Sequence, residues 1–136
     1  MYASTAAIKA AVEKLKMFPG NRENQLLIQA QSELTIAANI LENRWGIWNS
    51  IFWKTSNAAT KRTVRAKLEG LAFDALTSVI NAGKLLNRYV DELSIADENS
   101  YLWCEIIRCL HNAVRWISET YGCTSSCKQL KLPLAI

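Results

Sequence analysis

The residues predict an all-α chain, a mostly antiparallel four-helix bundle in which two long central helices form a hairpin. Three observations carry this expectation. Of the 136 residues 50% are apolar and 21% charged, enough apolar surface for a core. Only five Gly and two Pro occur, too little punctuation for an all-β chain. Apolar residues also recur at steps of three and four through most of the length, the spacing of one helix face. The expected organisation is one helical-bundle domain over residues 1–122 and a tail, extended or disordered, over 123–136.

The first helix is expected from Ser4 or Thr5, as N-cap, to about Met17. Ile8, Ala11, Val12, Leu15 and Phe18 share a face, and Pro19-Gly20 ends the segment. Its small alanines favour close packing against the hairpin. The second helix is expected from near Asn21, with Glu23 in its first turn, where the macrodipole favours an anion. Leu27, Ala30, Leu34, Ala38, Leu41, Trp45, Trp48 and Phe52 form one seam, running into a polar turn at Lys54-Thr55-Ser56-Asn57. Gly46 weakens this helix by about 1 kcal/mol relative to Ala, so a kink is expected there.

The third helix is expected over about 57–93, its seam kept by Val64, Leu68, Leu71, Ala75, Val79, Ala82, Leu86, Tyr89 or Val90, and Leu93. A connection this short makes the second and third helices antiparallel neighbours. Ser94-Ile95-Ala96-Asp97 has capping-box spacing and opens the fourth. Trp103, Ile106, Leu110, Ala113, Ile117 and Tyr121 form its buried stripe, and Gly122 is the natural residue to end it. Beyond it, Leu130, Leu132, Leu134 and Ile136 alternate at a period of two.

The stretch Asn43–Leu68, at the hairpin tip, stands apart. It holds Trp45, Trp48 and Trp53, then a basic run, and no Asp or Glu lies between Glu42 and Glu69. The chain carries a formal net charge of +4, yet Arg44, Lys54, Lys61, Arg62, Arg65 and Lys67 put six positive charges in this stretch alone. The remainder is therefore net acidic. Such asymmetry points to an acidic partner. A phosphate backbone would relieve the repulsion among Lys61, Arg62 and Arg65 and release counterions, with Thr60 and Thr63 able to hydrogen-bond phosphate. On seam spacing Trp45 and Trp48 belong to the core, which leaves Trp53 as the aromatic free to stack on a base. The apolar arc of Trp45, Trp48, Ile51 and Trp53 is wider than one helical neighbour covers, so it also reads as a protein interface.

Other chemistries find little support. No C-x-x-C or H-x-x-x-H spacing occurs. Cys104 and Cys109 are five apart, so on a helix they diverge by about 140° and read as small buried hydrophobes. Cys123 and Cys127 could bridge if their segment is irregular and the compartment oxidising. There is one histidine, His111, and no Gly-rich phosphate cradle. Asp91-Glu92 and Asp97-Glu98 resemble solvated helix ends rather than an acid/base couple. The expectation is a chain that is not an enzyme, with no metal or cofactor. The N-terminus lacks an apolar signal core, and nothing approaches the ~18 apolar residues of a membrane span, so a cytoplasmic setting without an integral membrane segment is expected.

Two likenesses bear on function. Trp116-Ile117-Ser118-Glu119 with Gly122 resembles the second homology motif of the apoptosis-regulating Bcl family, and Arg44-Trp45-Gly46 echoes its Asn-Trp-Gly-Arg motif. However, Ile47 stands where that family has Arg, and too few residues precede Trp45 for the helices the family places before it. In size, helical class and charge placement the chain is similar to the small helical subunits of CRISPR surveillance complexes. That likeness implies a subunit without an active site that touches nucleic-acid phosphates. The expected function is a non-catalytic helical subunit of a larger assembly, contacting a nucleic-acid backbone without sequence preference through Lys54, Lys61, Arg62, Arg65, Lys67, Thr60 and Thr63. The alternative is a protein-protein adaptor or self-associating helical protein, a possible homo-oligomer, using the Trp-rich tip. Attachment of that tip to an anionic membrane surface is a third reading.

Overall fold

A computed structural model of the protein describes residues 2–92 and 97–120. All regular structure among them is helical: α1 (Tyr2–Leu15), α2 (Gln25–Trp48), α3 (Ile51–Lys54), α4 (Ala58–Glu92) and α5 (Asp97–Thr120). The expected all-α class is what is observed, and the five helices pack against one another. Leu93, the expected cap at Ser94, Tyr121, the helix end expected at Gly122, the tail, and a bridge between Cys123 and Cys127 lie outside the described residues.

Helix α1 starts earlier than expected. Ser4 and Thr5 lie within it and are buried, so neither is its N-cap. Ile8, Ala11 and Leu15 are buried, and the chain then leaves the helix through tight turns, Met17 N–H donating to the Lys14 carbonyl and Phe18 N–H to that of Leu15. Gly20 takes a left-handed φ of 74°, which a residue with a Cβ adopts only at a steric cost. Asn24 follows as the N-cap of α2, its Oδ1 accepting from Leu26 N at 2.9 Å and Leu27 N at 3.3 Å. The first turn expected near Asn21 and Glu23 is thus a capped turn instead. Replacing Asn24 by Ala should cost about 1 kcal/mol, read as a lower urea midpoint, while Ser should restore most of it. A midpoint shift indistinguishable from zero would show the cap to be replaceable by water.

The largest helix–helix interface joins α2 to α4. Two levels fix their antiparallel sense. Arg44 of α2 meets Leu68 of α4, and Gln29, Ser32 and Glu33 line a groove with Asn81, Lys84, Leu85 and Arg88. Leu27, Ala30, Leu34, Ala37, Ala38 and Leu41 share one apolar core with Ala72, Ala75, Leu76, Val79, Ala82 and Leu86. The many alanines let the two backbones approach closely.

The next largest interface is between α1 and α5, ahead of α1 with α2, whereas α4 and α5 meet over a short stretch. Helix α1 therefore rests on α5 more than on the hairpin, where its alanines had been expected to dock. Of the stripe expected on α5, Ile106, Leu110, Ala113 and Ile117 are buried and Trp103 packs against the core. Cys109 is half-buried beside it, but Cys104 is exposed, contrary to its expected burial. It lies roughly 160° around the helix from Ile106. On α4 the seam takes Tyr89, while Val90 is 37% exposed.

The interruption of the long seam near the tip has the greatest consequence for function. Helix α2 runs through Gly46 and stops at Trp48, where Asn49 N–H and Nδ2 both donate to the Trp45 carbonyl. Ser50 is extended, and a new single turn, α3, begins at Ile51.

Candidate functional site

Beyond the level of Leu68, α4 has no buried residue back to its start at Ala58, a projection of about 15 Å at 1.5 Å per residue. With the end of α2 and with α3 it makes a narrow arm continuing past the shared core. At its base Arg44, only 8% exposed, donates from Nε to the Leu68 carbonyl at 3.1 Å. The guanidinium thus ties α2 to α4, and it does not join the outward charge of the tip as the sequence had implied.

The tip aromatics are arranged opposite to expectation. Trp53, expected to be free for stacking, is 7% exposed, and its Nε1 donates to the Ile47 carbonyl at 2.9 Å. Phe52, expected in the seam, is 80% exposed, and Trp48 is 42% exposed. Trp45 is half-buried. Of Ile51, only its place at the start of α3 is described. The physical reason is helical phase. An unbroken helix would keep Phe52 four residues from Trp48 on one face, but the extended Ser50 resets the rotation, so Trp53 folds back and Phe52 points away. The signal was the Asn49-Ser50 pair, both of types that favour helix ends over helix interiors.

Local hydrogen bonds hold this geometry. The Phe52 carbonyl accepts from Ser56 Oγ at 2.6 Å and from Thr55 Oγ1 at 3.2 Å. The Trp48 and Trp53 rings meet at 5.7 Å between centroids, tilted by 54°. Lys54 Nζ lies 5.0 Å from the Trp48 ring centre and 5.8 Å from that of Trp53, so both rings stabilise its charge without neutralising it.

The start of α4 is capped by Asn57, whose Oδ1 accepts from Thr60 N at 2.9 Å and whose carbonyl accepts from Lys61 N at 3.0 Å. The Thr60 side chain is exposed, while Thr63 Oγ1 donates back to the Ala59 carbonyl at 3.1 Å. Arg62, Arg65 and Lys67 are exposed and Lys61 is half-buried. Counting about 100° per residue from Lys61, Arg65 lies about 40° and Arg62 about 100° round, while Lys67 lies about 120° the other way. Three cations thus share a flank, and Lys67 stands apart from them.

No carboxylate among the described residues pairs with these cations. Ion pairs found there include Lys9–Glu42, Lys16–Glu13, Arg88–Glu92 and Arg108–Glu105, whose cations lie outside the arm. Elsewhere, no group of three or more His, Cys, Asp or Glu suited to a metal occurs among the described residues. None of their helices is long and apolar enough to cross a membrane. No family model matches the chain, and comparisons with curated proteins and with solved structures return no match.

Proposed function

We propose that this chain is a non-catalytic helical subunit of a larger assembly, which grips a nucleic-acid backbone with its arm. In this reading α1, α2, α4 and α5 act as a mostly antiparallel four-helix bundle, with the α2–α4 hairpin carrying the arm outward. The observation that supports it is the want of counter-charge. Lys54, Lys61, Arg62, Arg65 and Lys67 share a projecting segment in which no acidic residue occurs and no described carboxylate pairs with them. Crowding like charges on an exposed helix is unfavourable in the free protein, and a polyphosphate offsets it by displacing condensed counterions. With no base-reading motif, such contacts are sequence-independent.

The test is the salt dependence of oligonucleotide binding, followed by fluorescence anisotropy. Three to five phosphate contacts give a slope of log K against log salt of roughly −3 to −4.5 on duplex. A flat slope, or no retained oligonucleotide at low salt, overturns the proposal. The exposure of Phe52 and Trp48 favours a second reading, an adaptor whose tip docks on another protein or on a second copy. That reading predicts association indifferent to salt and lost when Phe52 is replaced.

A further inference from the structure

We infer that the nucleic acid taken by the arm is single-stranded, with Phe52 as the platform on which a base stacks. This inference rests on the proposed function and narrows it. Three observations point the same way. First, Phe52 is the most exposed large apolar side chain among the described residues, at 80%, yet it sits in an arm otherwise marked by positive charge. Burying an unpaired base against its ring removes that apolar surface from water, and a base has a π-face whatever its identity. A duplex keeps its bases stacked on one another, so the ring reaches a base face there only by unstacking a step, at a cost of a few kcal/mol.

Second, the backbone that carries Phe52 is held in place. The neighbouring Trp53 is locked inward by its bond to the Ile47 carbonyl, and the Phe52 carbonyl is held by the Ser56 and Thr55 hydroxyls. Little backbone ordering is then left for the moment of binding. Trp48 is less suited, since Lys54 already lies over its ring. Third, the cations do not lie in one plane. Arg62 and Arg65 occupy one flank of α4 and Lys67 the other, separated by about 140–160°. A stiff double helix lying along the arm meets one flank. A flexible single strand bends around the helix and meets both.

The test compares oligothymidylate with a duplex of equal phosphate number, against the intact protein and two variants, Phe52→Ala and Phe52→Tyr. Because Phe52 is exposed, both variants should keep the wild-type melting temperature. Oligothymidylate affinity should fall roughly 5- to 150-fold in Phe52→Ala, the range for one stacked base, and recover in Phe52→Tyr. Duplex affinity should change less than about twofold. If both probes bind and Phe52→Ala weakens neither, or weakens both equally, the single-strand inference is overturned while the backbone-binding proposal stands. If neither probe binds at low salt, both fall together. Should the protein instead co-sediment with phosphatidylserine vesicles and lose this in Phe52→Ala, the ring is a membrane wedge and both are overturned.

Discussion

Replacing Phe18 by alanine should lower the unfolding free energy by about 3–5 kcal/mol, the range for emptying a buried aromatic site. Phe18 is 2% exposed and lies just past the end of α1. Its ring meets Tyr89 of α4 edge-on at 6.3 Å and Trp103 of α5 edge-on at 6.0 Å. Tyr89 and Trp103 in turn approach to 6.4 Å. Because α4 and α5 touch over only a short stretch, this aromatic trio closes the end of the molecule opposite the arm. Without the phenyl ring the two remaining rings cannot fill the space, and each also loses an edge-to-face partner. Against a total stability of roughly 5–15 kcal/mol for a domain, that is a large fraction. The melting temperature should drop by roughly 10–20 °C. Urea unfolding gives the energy directly, with Met17→Ala, an exposed neighbour, as the control expected within about 0.5 kcal/mol of wild type. A loss under about 1 kcal/mol in Phe18→Ala would mean that the trio does not hold α4 to α5.

Reversing two charges on the arm should abolish most polyanion binding while leaving the fold intact. Arg62→Glu with Arg65→Glu removes two cations from the flank they share with Lys61. From the counterion-release slope, each lost phosphate contact is worth roughly 15-fold at about 0.05 M salt, so two are worth on the order of 200-fold. The slope itself should fall by about two units. Both residues are exposed and unpaired with any described carboxylate, so stability should change by less than about 0.5 kcal/mol. Relief of like-charge repulsion even acts in the stabilising direction. Net charge is controlled by Lys84→Glu with Arg88→Glu, two cations that line the α2–α4 groove away from the arm. Equal weakening by the two pairs would show a diffuse effect of net charge and leave the arm with no special role.

The candidate site was half legible in the residues. The acid-free run from Asn43 to Leu68 could be read directly, because charge is a property of composition and survives any folding. The direction of each side chain could not. Arg44 counted as a tip cation until the α2–α4 packing placed Leu68 beside it. The roles of Phe52 and Trp53 were exchanged, since a seam extrapolated through Trp48 assumes a continuous helix. One extended residue at Ser50 voids that assumption.

By itself the sequence determined the helical class, where the helices lie apart from the end of α2, and most of each buried stripe. Those properties are local, set by spacings of three and four that every neighbouring turn reinforces. Only the tertiary structure decided which stripes meet, so that α1 lies mainly on α5, and which aromatic at the tip faces inward. Such choices depend on contacts between residues far apart in the chain and on a small break in helical phase, and neither leaves a periodic trace in the residues themselves.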